Sequence, residues 1–102
     1  MFDHNVPHKL RSSLTSHEVV TADEMGWATL ENGQLLLAAE EAGFKVIISC
    51  DKNLSYQQNL QGRKLAVIIL STNNWNILKL KPLLVLKAID SVRSGSFETV
   101  AF

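Results

Sequence analysis

A single cysteine, Cys50, stands among 102 residues, so the chain can form no internal disulfide and no cysteine cage for zinc. That usage suits a reducing compartment, and the chain reads as cytoplasmic. Surplus charge is also missing. Ten Lys+Arg balance ten Asp+Glu, beside three His, which excludes a global basic field and leaves only a local patch to meet nucleic-acid phosphates. Long apolar runs are lacking too: those around Val46 to Ser49 and Leu65 to Leu70 fall far short of the roughly 20 residues that cross a bilayer. No membrane is expected as a partner. The start, with Asp3, Pro7 and Lys9, shows no basic stretch followed by an apolar run and a cleavage site. There is no repeat, low-complexity tract or linker. What remains is 46% hydrophobic and 20% charged, in a length typical of one compact domain, residues 1–102.

Two short segments, Lys45 to Cys50 and Leu65 to Leu70, are rich in β-branched residues and do not alternate with polar ones. Continuous apolar strands mark a sheet buried on both faces, usually a parallel one. These two are expected at its centre, with Cys50 shielded from solvent. His17 to Ala22 is a weaker third strand, and Phe97 to Phe102 a candidate edge strand. Helical patterns fill the gaps. Asn32 to Ala42 is dense in helix formers, with Asn32 placed as an N-cap, Gly43 as a left-handed stop and Leu35, Ala38, Ala39 and Ala42 as the buried stripe. A short helix should run from Pro7 to about Leu14, another from Leu54 to Leu60, and a last helical region from Trp75 to Val92 should break at Pro82. Alternating helices and strands give a three-layer α/β domain with right-handed crossovers.

In an open parallel sheet, ligands bind beyond the carboxyl ends of the strands, so the residues following each strand matter most. Asp51 follows the strand that ends at Cys50, and Asp3 follows the stub Met1-Phe2. If those strands are neighbours, two carboxylates converge and repel unless one is protonated or a cation lies between them. Mg²⁺ or Mn²⁺, hard ions that favour oxygen, fit such a pair. The competing reading makes Asp51 the start of an Asx-turn and Asp3 a helix cap. His4 and His8 at i, i+4 lack a third zinc ligand. Cys50, inside an apolar strand, reads as a small hydrophobe. Tyr56 with Arg63 and Lys64 offers an aromatic and two cations for a nucleic-acid backbone, or else a solvated helix end. Trp27 and Trp75 either stack on bases or cover the core edge.

Asp3-His-Asn-Val-Pro7 resembles the Asp-Glu-Asn-Leu-Pro opening of small bacterial PIN-like proteins. The later order is similar as well: Glu31-Asn-Gly33, Ala39 to Phe44, a strand, then Cys50-Asp-Lys-Asn-Leu54, Tyr56 to Leu60, Gly62-Arg63, and Leu70-Ser-Thr-Asn73 with Trp75. The match spans nearly the whole chain. It implies a three-layer PIN-like fold, a mostly parallel sheet of about four to five strands with helices on both faces. In active relatives it further implies a metal-dependent nuclease centre of clustered carboxylates, often acting on RNA and often part of a toxin-antitoxin pair. Three positions depart from the pattern. His4 replaces a usual Glu, Asn32 a common acid, and Asn53 an acid that often follows Asp51. Only two residues precede Asp3, fewer than a typical strand, so the first strand is expected to be either minimal or preceded by an earlier start.

The expected function is that of a Mg²⁺- or Mn²⁺-dependent endoribonuclease. Asp3 and Asp51 would hold the metal, and Asn5, Asn32 and Asn53 would orient water or outer ligands. The rival is a non-catalytic binding or assembly module with an eroded acidic site; an antitoxin or other adjacent protein is a further expected partner. After Pro82, Leu83, Leu86 and Ile89 form one stripe, and Leu84, Val85, Ala88 and Val92 widen it beyond what one core needs, which points to a homodimer through this helix.

Overall fold

The computed structural model describes residues 1–30, 32–52, 54 and 64–102. Three parallel strands form the sheet: β1 (Val46–Ser49), β2 (Ala66–Leu70) and β3 (Phe97–Val100), with β2 in the middle. The register pairs Val46 with Ala66 and Ser49 with Ile69, then Val67 with Phe97 and Leu70 with Val100. All five β2 residues are buried, as a run with no polar face requires.

Phe2 extends this order by single bridges, pairing in parallel with Ile48 on one side and Thr21 on the other. Its backbone is held on both sides, Asp3 N–H to Ile48 O at 2.8 Å and Ala22 N–H to Phe2 O at 2.8 Å. Across the sheet the segments follow one another as second, first, third, fourth and fifth in the chain, the order of one class of doubly wound sheets. Among the described residues the expected four to five strands are therefore three strands plus two isolated bridges. His17 to Ala22 contributes only Thr21, because the chain turns at once: Gly26 adopts φ +75 and Trp27 N–H returns to Ala22 O at 2.9 Å.

Alternate residues of the strands enter two separate cores. Ile48, Ile68 and Leu70 pack with Phe2, Leu10 and Leu14, while Ile47, Val67 and Ile69 pack with Ala22 and Leu65. The first core is covered by a 3₁₀ helix (His8–Ser13), α2 (Trp75–Leu78) and α3 (Pro82–Ser91); the second by α1 (Asn32–Glu41). Both faces of the sheet thus carry helices.

Local sequence explains the helix ends. Gly43, at φ +89, stops α1, with Phe44 N–H reaching Ala39 O at 3.0 Å and Gly43 N–H reaching Glu40 O at 3.1 Å, the two bonds of a Schellman motif. The stripe that α1 buries is Leu35, Leu36 and Ala39. Ala42 is exposed and Ala38 half-buried, since the stop begins at Ala42 and the larger Leu36 buries more apolar surface. Between α2 and α3 the expected break occurs, with Pro82 opening α3 where its missing N–H costs nothing. In α3 the core-facing residues are Val85 and Ala88, flanked by half-buried Leu84, Ile89 and Val92. Leu83, expected in the main stripe, is 68% exposed, and Leu80 before the helix is 73% exposed. The 7–14 segment is a 3₁₀ helix of six residues with Pro7 as its cap. Among the described residues, no helix is long and apolar enough to cross a membrane. The expected helix from Leu54 to Leu60 lies outside the described residues apart from Leu54, which is buried in the second core.

Candidate functional site at the carboxyl edge

The order of the sheet reverses between Phe2 and β1, and the residues that leave these two segments meet at their carboxyl ends. A crevice at such a reversal is where open α/β sheets bind ligands. Asp3 leaves Phe2, and Ser49, Cys50 and Asp51 leave β1, so the bridge between Phe2 and Ile48 supplies the adjacency that the sequence left conditional.

Ser49 is the centre of this edge. Its side chain is fully buried, and its Oγ donates to Asp3 Oδ2 at 2.8 Å. The same Oγ accepts from the Asp51 backbone N–H at 3.1 Å and from Asn5 Nδ2 at 3.4 Å. One hydroxyl therefore ties together Asp3, Asn5 and Asp51. Asp3, 3% exposed, also receives the His4 N–H at 2.7 Å and lies 2.9 Å from His4 Nδ1, both through Oδ1. A buried carboxylate needs such donors, because burying it without them costs several kcal/mol or more. Asn5 Oδ1 accepts the Cys50 N–H at 3.0 Å, which staples the loop after Phe2 to the end of β1. The Asp51 carbonyl accepts the Leu54 N–H at 3.2 Å and closes a turn.

The structure thus brings Asp3, Asn5 and Asp51 together. Asn32 opens α1 with its backbone, while Asn53, Tyr56 and Arg63 lie outside the described residues. Lys64 is separated from this group by the length of the sheet, for it precedes β2 whereas Asp51 follows the parallel β1. Ser49 was missed by sequence reasoning. The available signal was a lone hydroxyl closing an otherwise apolar strand. Cys50 is half-buried rather than shielded, since it lies just beyond the end of β1 at Ser49. Its Sγ lies 3.5 Å from Thr72 O. Burial first, and the nearby Asp3 charge second, push the thiol up to about 11, which makes it a poor nucleophile at neutral pH.

The donor set decides whether a metal fits. Among the described residues no group of three or more His, Cys, Asp or Glu is arranged to hold an ion. Asp3 Oδ1 has both lone pairs engaged by His4, whereas Oδ2 has one left after Ser49. Mg²⁺ commonly takes one or two carboxylates and fills its remaining positions with water and substrate phosphate. Asp3 Oδ2 with Asp51 fits that pattern; a cage built wholly of protein ligands does not. His4 Nδ1 lies 2.9 Å from Asp3 Oδ1, and among the described residues no group of three or more possible ligands includes His4 and His8. Trp27 meets Phe44 edge to face at 6.3 Å over the second core, and Trp75 packs on the first, so both cover core edges.

The larger clefts lie elsewhere, one of about 730 Å³ beside the 3₁₀ helix and Trp75 and two on the side where the strands begin. One of about 630 Å³ includes Phe44, Val46, Lys64, Val92 and Arg93 in its walls. Cleft size and acidic chemistry therefore do not coincide. At the carboxyl edge the Asp3 carboxylate, the Asp51 backbone and the reversal of the sheet coincide. Comparison of the chain with protein-family models, with curated proteins and with solved structures gives no match in any of the three.

Proposed function

We propose that the chain is a three-layer PIN-like domain and that its carboxyl-edge crevice cleaves single-stranded RNA with Mg²⁺ or Mn²⁺. The observation that carries this reading is the shared hydroxyl of Ser49, which links the Asp3 carboxylate and the Asp51 amide at the point where the sheet reverses. The helices on both faces and the order extended by Phe2 and Thr21 support the three layers.

In this reading Asp3 Oδ2 and Asp51 hold the ion, which when bound supplies an activated water and neutralises phosphoryl charge. Ser49 fixes the Asp3 carboxylate, so that its remaining lone pair points in one direction. Asn5 keeps the loop after Phe2 against β1 and thereby sets the spacing between the two acids. Asn32 and Asn53 are proposed to orient water, and Tyr56, Arg63 and Lys64 to contact the RNA backbone, Lys64 doing so at the opposite end of the sheet from the metal. An antitoxin or other adjacent protein is the proposed regulator, and a homodimer the proposed assembly. Exposed Ile77, Leu80 and Leu83, at the junction of α2 and α3, support a second copy as the occupant of that face. Sedimentation should then show a dimer in the micromolar range, and a monomer at high micromolar concentration contradicts it.

One observation favours a second reading, a non-catalytic binding or assembly module. Three of the four acceptor positions of Asp3 are filled by its own chain, as a structural carboxylate requires. RNA cleavage separates the two. The wild type should cut single-stranded RNA in Mn²⁺, Asp51→Asn should abolish cutting while keeping the fold, and a wild type with no cleavage favours the module.

A further inference from the structure

The amino edge of the sheet carries a second constellation. Lys45 directly precedes β1, Lys64 stands two residues before β2, and Arg93 lies in the turn before β3. Because these strands are adjacent and parallel, the three cations collect at one end of the sheet. Two backbone bonds and one side-chain bond fix the three turns to each other: Ala66 N–H to Lys45 O at 2.9 Å, Gly95 N–H to Lys64 O at 3.0 Å, and the Ser94 hydroxyl to Lys64 O at 2.9 Å. All three cations line the 630 Å³ cleft, whose floor is apolar through Phe44, Val46 and Val92. That volume is in the range of small-molecule sites, roughly 300–1,000 Å³.

The charge there is unspent. The ion pairs among the described residues are His4–Asp3, Arg11–Glu24 and His17–Asp90, and none uses Lys45, Lys64 or Arg93. Glu40, the acid in the cleft wall, turns Oε1 onto the Lys64 and Leu65 backbone N–H groups at 2.6 and 3.4 Å. In a chain of zero formal net charge, three cations without carboxylate partners around one apolar floor form a local field for a compact anion.

We propose that this cleft binds a terminal phosphate monoester on a nucleoside, with the phosphate against Lys45, Lys64 and Arg93 and the base over Phe44 and Val92. A monoester concentrates roughly 1.5 to 2 negative charges on one group at neutral pH, which suits a cleft lined by three cations better than a phosphodiester or a single carboxylate does. The guanidinium of Arg93 adds planar, two-point recognition of phosphate oxygens. Free nucleotide and the 5′ end of an RNA strand share this chemistry. The site does not depend on the carboxyl-edge metal or on cleavage.

Calorimetric titration without divalent metal tests it, using AMP, inorganic phosphate, a 5′-phosphorylated tetranucleotide, the same tetranucleotide with a 5′-hydroxyl, and a short polyglutamate peptide. AMP should bind saturably and more tightly than inorganic phosphate. Tighter binding of the phosphorylated tetranucleotide than of AMP assigns the site to RNA ends, and the reverse assigns it to free nucleotide. Lys45→Gln with Arg93→Gln should weaken binding on the order of tenfold or more, as loss of charge-assisted bonds requires, with the unfolding midpoint unchanged as the control. Absence of AMP and phosphorylated-tetranucleotide binding at millimolar concentration overturns the proposal. So does equal binding of both tetranucleotides, binding that the double variant leaves intact, or binding of polyglutamate alone.

Discussion

The two ends of the sheet use their polar groups in opposite ways. At the carboxyl edge the polar atoms satisfy one another: Ser49 joins Asp3, Asn5 and Asp51, and no buried side-chain nitrogen or oxygen among the described residues lacks a partner. At the amino edge Lys45, Lys64 and Arg93 face a cleft without carboxylate partners. The difference separates a region whose polar contacts hold the fold and leave one acceptor position on Asp3 Oδ2 from one whose cations have no carboxylate partners. A single parallel sheet accommodates both because its core is apolar on either side, so neither edge has to stabilise the middle.

If that division is right, substitutions should rank accordingly. The largest loss is expected from Ile68→Ala in the middle of β2, where Ile68 is fully buried. Such truncations cost about 2–5 kcal/mol, and denaturant unfolding should show it, with both edges weakened together.

Next comes Cys50. With its thiol pushed up from 9.0 to about 11, the thiolate fraction at pH 8 is about a hundredfold below that of an ordinary cysteine, and alkylation of the folded protein should slow to match. A thiol raised in the folded state favours folding below pH 9, and that contribution is lost as pH rises through 9 to about 11, since the unfolded chain releases its proton first. A native alkylation rate equal to that of the unfolded chain contradicts the packing around Cys50.

Ser49→Ala should follow, at about 1–3 kcal/mol, because it removes the donor to a buried carboxylate oxygen and the acceptor for the Asp51 N–H. Thermal unfolding checks it; a neutral result would mean that the carboxyl edge does not hold the fold. The smallest effect belongs to the amino-edge side. Asp90→Asn breaks the exposed pair with His17, 3.0 Å apart, and should change stability by less than about 1 kcal/mol. A larger change would blur the contrast between the edges.

Much of this contrast could be read from the chain. The unalternated apolar runs of β1 and β2, the stop at Gly43 and the break at Pro82 follow from local rules, and all are present. Asp3 and Asp51 were legible as residues that follow strands. Their adjacency was not, because one bridged residue, Phe2, carries no strand pattern. Ser49 escaped notice because a serine in an apolar strand gains meaning only from the carboxylate opposite. The amino-edge cations escaped for a similar reason: Lys45, Lys64 and Arg93 are far apart in sequence, and only the parallel register collects them. In α3 the alternative stripes have nearly equal hydrophobicity, so pattern alone could not choose Val85 and Ala88 over Leu83.

Titration of the wild type with Mn²⁺, beside Asp51→Asn, tests the central claim that the carboxyl edge is a metal-binding crevice. The account predicts saturable binding of about one ion, sharply weakened when the Asp51 charge is removed, because the proposed site holds a hard ion through Asp3 and Asp51. Absence of Mn²⁺ binding by the wild type, or binding that survives Asp51→Asn undiminished, would contradict it.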